Sequence, residues 1–282
     1  MSPIPKPLIS VSELSANIDH PQLVLLDASW YLPAMGRDGI AEWKAQRIGA
    51  ARHFDFHHDV CDTTSPYPHT MPNADHFTQC AQALGINQDS HIVVYDGMGM
   101  FSSPRVWWMF KAMGHENISV LNGGLPAWLA AGLPTNKSEP STPEVGNFMA
   151  QPDESRFTST ETILRELQSD DHLVIDARGE GRFAGHEPEP REGMRSGHIP
   201  NSVNLPFTQV VDNGFLKPEA ELKGLMSQIN ASDKALIFTC GSGVTACHLA
   251  LAAEVCGYTK LSVYDGSWSE WGIRHELPIS IG

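Results

Sequence analysis

KALIFTCGSGVTACHLALAAEVCG, residues 234–257, reads as three pieces joined end to end. Ala235 to Thr239 is a short apolar run of strand length. Cys240 closes that run, and Gly241 and Gly243 follow within three residues. GVTACHLALAAEVCG (243–257) is then a predicted helix that Gly257 ends. A strand passing through a tight Gly-rich turn into a helix is the building unit of a parallel α/β sheet. Ligands of such sheets bind at the carboxyl ends of the strands. The turn aims several backbone amides at one spot, forming an anion nest that the helix dipole reinforces. A cysteine placed there is expected to be a thiolate and a nucleophile. A core cysteine has no use for two glycines beside it. Cys61, Cys80, Cys247 and Cys256 lack this setting and read as structural.

The rest of the chain repeats this plan with a period of about 145 residues, far longer than any solenoid repeat. LVLLDAS (23–29) matches HLVIDAR (172–178), each apolar run closing on Asp-Ala. RIGAARHFDF (47–56) echoes GHIPNSVNLPF (197–207), and LGINQDSHIVVYDG (84–97) matches the run into ALIFTCG (235–241). NGGLPAW (122–128) lies over DGSWSEW (265–271), and both copies then close on Leu-Pro. Between the copies, PTNKSEPSTPEVGN (134–147) has the composition of a linker. Domains are therefore expected at 1–138 and 152–282, joined by 139–151. In the second copy TSTETILRELQSD (158–170) is a capped amphipathic helix, and HLVIDAR, SVNLPF, KALIFTC and KLSVYDG are buried strands. The alternation predicts a mostly parallel sheet flanked by helices in each domain, an α/β fold.

At 41 % hydrophobic and 18 % charged, the 282 residues have globular composition. A net charge of −14 with no Lys/Arg run argues against nucleic acid as a partner. No stretch approaches the roughly 18 apolar residues of a membrane span. The N-terminal MSPIPKPLISVSELS lacks the apolar core of a signal peptide. Five cysteines without CxxC spacing speak against a disulfide framework or a structural zinc site, so a cytoplasmic location is expected.

The strand–CGSGVT–helix segment, GHIP (197–200), DGSWSEW (265–271) and the tandem repeat together resemble the rhodanese family over nearly the whole chain. The resemblance implies two tandem rhodanese-like domains and a sulfur carried as a persulfide on Cys240. CGSGVT (240–245) is similar to the loop of family members that take sulfur from 3-mercaptopyruvate. Gly241, Gly243, Val244 and Thr245 would shape that loop around the substrate. Members that use thiosulfate carry basic residues where this chain has Gly241 and Ser242. A dianion gains from such charge more than a single carboxylate does. The implied acceptor is a thiol, cyanide or a thioredoxin-like protein, and no metal or organic cofactor is implied. The N-terminal copy should be inactive, because Asp96 stands where the second copy has Cys240 and a carboxylate cannot accept a sulfane sulfur.

Arg178, Arg182, Arg191 and Arg195 cluster in DARGEGRFAGHEPEPREGMRSGHIP (176–200), a Gly- and Pro-rich loop after a strand. It starts at the same sheet edge as Cys240, and a guanidinium can grip a carboxylate with two parallel hydrogen bonds. The resemblance points to Arg182 and Arg191 as the pair that holds the substrate. The competing reading is a solvated loop paired with Glu180, Glu187, Glu189 and Glu192, and it is the expectation for Arg178 and Arg195. His69, in TSPYPHTMP (64–72), resembles a histidine that reaches the active-site loop from the family's N-terminal domain. With Ser242 and either Asp59 or Asp62 it would form a proton relay for the departing carbon.

Three rival readings are weighed against this one. Thiosulfate could be the main donor. A non-enzymatic persulfide-binding regulator would need the cysteine loop but not both arginines. A cysteine phosphatase needs an arginine six residues after the nucleophile, where this chain has Ala246.

Overall fold

The computed structural model describes residues 6–282, so positions 1–5 of the expected N-terminal domain lie outside the described residues. Contacts divide the chain into two units. The first comprises the residues up to Thr63, then Met71–Asp153 and Asn213–Leu216. The second comprises Thr64–Thr70, Glu154–Asp212 and Lys217–Gly282.

The first unit holds strands β1 (Leu8–Ile9), β2 (Leu23–Asp27), β3 (Arg52–His53), β4 (His91–Tyr95) and β5 (Ile118–Leu121). They form one parallel sheet in the order β1-β5-β4-β2-β3. Helices α1 (Val11–Ala16), α2 (Gly39–Ala45), α3 (Ala74–Ala83), α4 (Ser103–Ala112) and α5 (Gly124–Ala130) connect and cover it. Ser10 and Glu13 cap the start of α1 reciprocally, satisfying two amides that a helix N-terminus leaves open. Every residue of α4 is buried, which fits a helix carrying Val106, Trp107, Trp108, Met109 and Phe110 in one run.

In the second unit, strands β6 (Phe157–Thr158), β7 (His172–Asp176) and β8 (Val203–Asn204) precede two short strands, β9 (Val211–Asp212) and β10 (Phe215–Leu216). β10 falls in the residues grouped with the first unit. Then come β11 (Ala235–Thr239) and β12 (Leu261–Tyr264). Its parallel sheet runs β6-β12-β11-β7-β8, the same order as the first when matched copy to copy. Helices α6 (Thr160–Glu166), α7 (Glu180–Phe183), α8 (Glu219–Gln228), α9 (Ala246–Val255) and α10 (Ser267–Trp271) complete it. Ser159 caps α6 by accepting from Thr162. α9 ends before Gly257, whose φ of +91° suits only glycine at low cost. Ile163, Ile199, Ile237, Tyr264, Trp268, Trp271 and Leu277 form one core cluster.

The stretch expected as linker is tied along the first unit. Gly146 and Phe148 donate to the carbonyls of Gln82 and Ile86, and the Phe148 ring is buried. SVNLPF contributes only two residues to a strand, Val203 and Asn204, although Leu205 and Phe207 still donate to the carbonyls of Asp176 and Ala177.

Candidate active site

In the second unit the chain leaves β7 for β8 on one side and leaves β11 for β12 on the other. The loops after β7 and β11 therefore diverge from adjacent strands at their carboxyl ends. That divergence opens the crevice in which doubly wound sheets bind ligands. The arginine-rich segment and the Cys240 loop are those two loops.

Cys240 follows Thr239 directly, and its side chain is buried, 2 % exposed. Its amide donates to Ser267 Oγ at 3.3 Å, and its carbonyl accepts from Trp268. Gly241 is held by its carbonyl, which accepts from the amide and the hydroxyl of Ser269. Gly243 has φ +77°, the left-handed turn that lets the chain reverse into α9. Thr245 stands immediately before α9. The amides of Gly241, Ser242, Val244 and Thr245 donate to no protein acceptor among the described residues. They are the open donors of a nest.

The first unit shows what such a nest holds. Asp96 follows β4 as Cys240 follows β11, and its buried carboxylate fills its own loop. Asp96 Oδ1 accepts from Met98 N, and Oδ2 from the amides of Phe101, Ser102 and Ser103 at 2.8–3.0 Å. The Ser103 hydroxyl adds a fifth bond. An anion is thus built into the first copy, while the second copy leaves its nest open above a thiol.

Arg182, on α7, reaches over the loop: a Cβ added to Gly241 would meet its Nη2 at 3.4 Å. Arg182 Nε and Nη2 donate to the Glu189 carboxylate. Its Nη1 has no protein acceptor among the described residues, and the side chain is 27 % exposed. Arg191 Nη1 donates to Ser269 Oγ at 2.7 Å, the hydroxyl that also holds Gly241. Burial pulls the Arg191 guanidinium below its usual pKa, a shift opposed by the nearby Cys240 sulfur. Both arginines therefore stand at the cysteine loop.

Arg178 and Arg195 differ from the solvated-loop expectation. Arg178 is buried, 2 % exposed, and donates to Asp176, Glu189 and the Gly197 carbonyl. Burial works against its charge, but Asp176 and Glu189 outweigh that and raise its pKa. The guanidinium also stacks 4.2 Å over the Trp268 ring. Arg195 donates to the carbonyls of Trp271, Gly272, Arg274 and Leu277. Two of those are carbonyls that the end of α10 leaves open.

His69 belongs to the Thr64–Thr70 segment of the second unit. Its Nδ1 is hydrogen-bonded to Ser242 Oγ at 3.0 Å. The residue is buried with φ +64°, a strained backbone for a non-glycine. Asp59 and Asp62 lie in the first unit, where both carboxylates join burial in raising the Cys61 thiol pKa. Burial likewise pushes up Cys80 and Cys256, which suits structural thiols. No group of three His, Cys, Asp or Glu side chains among the described residues could hold a metal ion, and none of their helices is long and apolar enough to cross a membrane.

Sequence reading missed two supports of the site, Ser267 and Ser269, and gave Glu189 only as one of four acidic partners of a solvated loop. Ser267 adopts φ +49°, where the first copy has Gly124 at +52°, and its hydroxyl bridges Cys240 N and Tyr264 O. The only signal for the two serines was DGSWSEW itself, where they replace Gly124 and Pro126 of NGGLPAW.

Comparison with known proteins agrees with this architecture. The family model described as a rhodanese-like domain matches residues 10–131 and again 159–274. A mouse protein named 3-mercaptopyruvate sulfurtransferase is 48 % identical, over 89 % of this chain and 86 % of its own length. A Chinese hamster (Cricetulus griseus) protein named thiosulfate sulfurtransferase is 46 % identical, over 92 % of this chain and 87 % of its own. The crystal structure of SseA from Escherichia coli, titled as a study of the rhodanese fold and 3-mercaptopyruvate sulfotransferases, superposes with a TM-score of 0.85. Identity is 34 %, over 94 % of this chain and 100 % of that one. With the same domain matched twice, and the same parallel strand order in both sheets, this chain belongs to the rhodanese family.

Proposed function

We propose that the chain is a 3-mercaptopyruvate sulfurtransferase whose nucleophile is Cys240. The supporting observation is the juxtaposition of an open amide nest, a thiol at its base and two arginines beside it. The Cys240 thiolate attacks the donor sulfur. The carbon–sulfur bond breaks, its electron pair passes to carbon, and pyruvate leaves as its enolate. The proton lost from the donor thiol is balanced by the one taken up at carbon, and Ser242 with His69 is the route for it. The outer sulfur of the Cys240 persulfide then sits in the nest that in the first copy holds a carboxylate. A second nucleophile (cyanide, a small thiol or a thioredoxin-like protein) attacks that sulfur and returns Cys240 as thiolate. Each step is a displacement between nucleophiles and calls for no cofactor.

Arg182 and Arg191 hold the carboxylate and keto oxygen of the donor. A charge-assisted hydrogen bond contributes roughly 1.5–3 kcal/mol, enough to matter for a small anion. In this reading residues 1–138 form the inactive domain, 139–151 the connection and 152–282 the catalytic domain. The free cysteines fit a reducing cytoplasm. The test is pyruvate release from 3-mercaptopyruvate with cyanide as acceptor, run beside thiosulfate because similar relatives carry both names. Faster turnover of thiosulfate would overturn the donor assignment.

A further inference from the structure

Arg182 is the cation of the site that lies over Gly241, yet its guanidinium is not held by the loop it serves. It is held by Glu189, which accepts from Nε and Nη2 and whose side chain is 1 % exposed. Glu189 in turn accepts from Arg178 Nη1 at 2.7 Å, and Arg178 is locked by Nε and Nη2 bonds to Asp176 at the end of β7. The charges alternate from the sheet to the site: Asp176, Arg178, Glu189, Arg182.

The first copy carries a simpler version of the same device. Arg37 is gripped by Glu42 through Nε at 2.8 Å and Nη2 at 2.7 Å. Its Nη2 lies 3.4 Å from a Cβ added to Gly97, matching Arg182 over Gly241. The position matching Arg178 is Ser29, whose hydroxyl accepts from Gly97 N. The second copy thus replaces a serine with a buried arginine that shares the glutamate.

We propose that Glu189, anchored through Arg178, is a positioning residue. It fixes the Nε–Nη2 edge of Arg182 so that Nη1 is presented to the carboxylate of the donor. A glutamate bound by one guanidinium alone would repel that carboxylate more; the Arg178 guanidinium, shared with Asp176, offsets part of its charge. The inference rests on the proposed roles of Cys240 and Arg182.

Two alkylating reagents separate positioning from mere support. The full chain is reacted with iodoacetate and with iodoacetamide, which differ in a carboxylate, and alkylation of Cys240 is followed by mass. Glu189→Ala, or Glu189→Gln if the alanine variant does not fold, should lower the iodoacetate-to-iodoacetamide rate ratio at least about fivefold. The iodoacetamide rate should stay within about twofold, and KM for 3-mercaptopyruvate should rise more than kcat falls. If Glu189 only balanced charge, its removal would raise the ratio, since an anion would meet less repulsion. If it only supported the fold, both rates would change together. Either result overturns the proposal. Arg182→Ala in parallel tests the reading beneath it: an unchanged ratio there removes Arg182 as the carboxylate ligand, and the role of Glu189 with it. A ratio that falls for Arg182→Ala and not for Glu189 overturns the positioning role alone.

Discussion

His69 Nδ1 and Ser242 Oγ stand 3.0 Å apart, both side chains buried, with His69 held at φ +64°. A left-handed histidine costs about 1–3 kcal/mol, a strain that concentrates where function requires it. Ser242→Ala and His69→Gln should each lower kcat for 3-mercaptopyruvate roughly 100-fold, the lower end of what a positioned proton carrier supplies. The double variant should be little worse than either single one, because the pair acts as a unit. Full activity in both single variants would reduce the contact to packing.

Donor choice should follow the charge of the loop. Gly241 and Ser242 offer thiosulfate no cation, so wild-type kcat/KM should favour 3-mercaptopyruvate by at least about tenfold, or ~1.4 kcal/mol. Gly241→Arg with Ser242→Lys should shift the ratio toward thiosulfate. It should also cut mercaptopyruvate turnover, because the new side chain at 241 grows toward Arg182 Nη2 and Ser242 no longer meets His69. Measuring both donors at several salt concentrations checks this, with a steeper salt dependence in the variant. An unaltered ratio would contradict the loop-charge argument.

The first copy offers a test of the nest itself. Asp96 accepts five hydrogen bonds within its loop. Asp96→Ala leaves those donors without a partner, so it should destabilise the chain by at least ~3 kcal/mol. Asp96→Asn, which keeps the shape, should cost less. Denaturant unfolding decides it, and an alanine variant as stable as wild type would show that the carboxylate contributes little.

The strand, the turn and the helix around Cys240 were legible because each is a local pattern, and the repeat showed that the pattern occurs twice. What escaped was set by bonds distant in sequence. Arg178 was expected in solvent, since it sits in a Gly- and Pro-rich stretch. Asp176 at the strand end and Glu189 eleven residues on draw it inside instead. Ser269 was invisible as a support because nothing near it in sequence marks Gly241 or Arg191 as its partners. The grouping of Thr64–Thr70 with the second sheet is likewise a tertiary fact that no linear boundary expresses.

Acid should weaken the first unit through a buried histidine. Burial holds His115 below its usual pKa of 6.5, and its Nε2 meets the Ser90 carbonyl at 3.0 Å. Below pH 6.5 the unfolded chain takes up a proton that the folded chain refuses. Stability should therefore be level above that pH and fall below it, by up to about 1.4 kcal/mol per pH unit until the folded value is reached. His91, also lowered by burial, acts in the same direction. Unfolding between pH 5 and 8 should show a shallower acid loss in His115→Gln than in wild type; equal slopes would contradict the assignment.

The most direct test of the central claim is the mass of the protein after donor alone. Wild type treated with 3-mercaptopyruvate, freed of excess donor and digested without reductant, should carry one added sulfur on the peptide containing Cys240. Cyanide should remove it. Cys240→Ser should carry none, while single loss of Cys61, Cys80, Cys247 or Cys256 should leave it in place. An added sulfur found on any other cysteine, or turnover that persists in Cys240→Ser, would contradict the account.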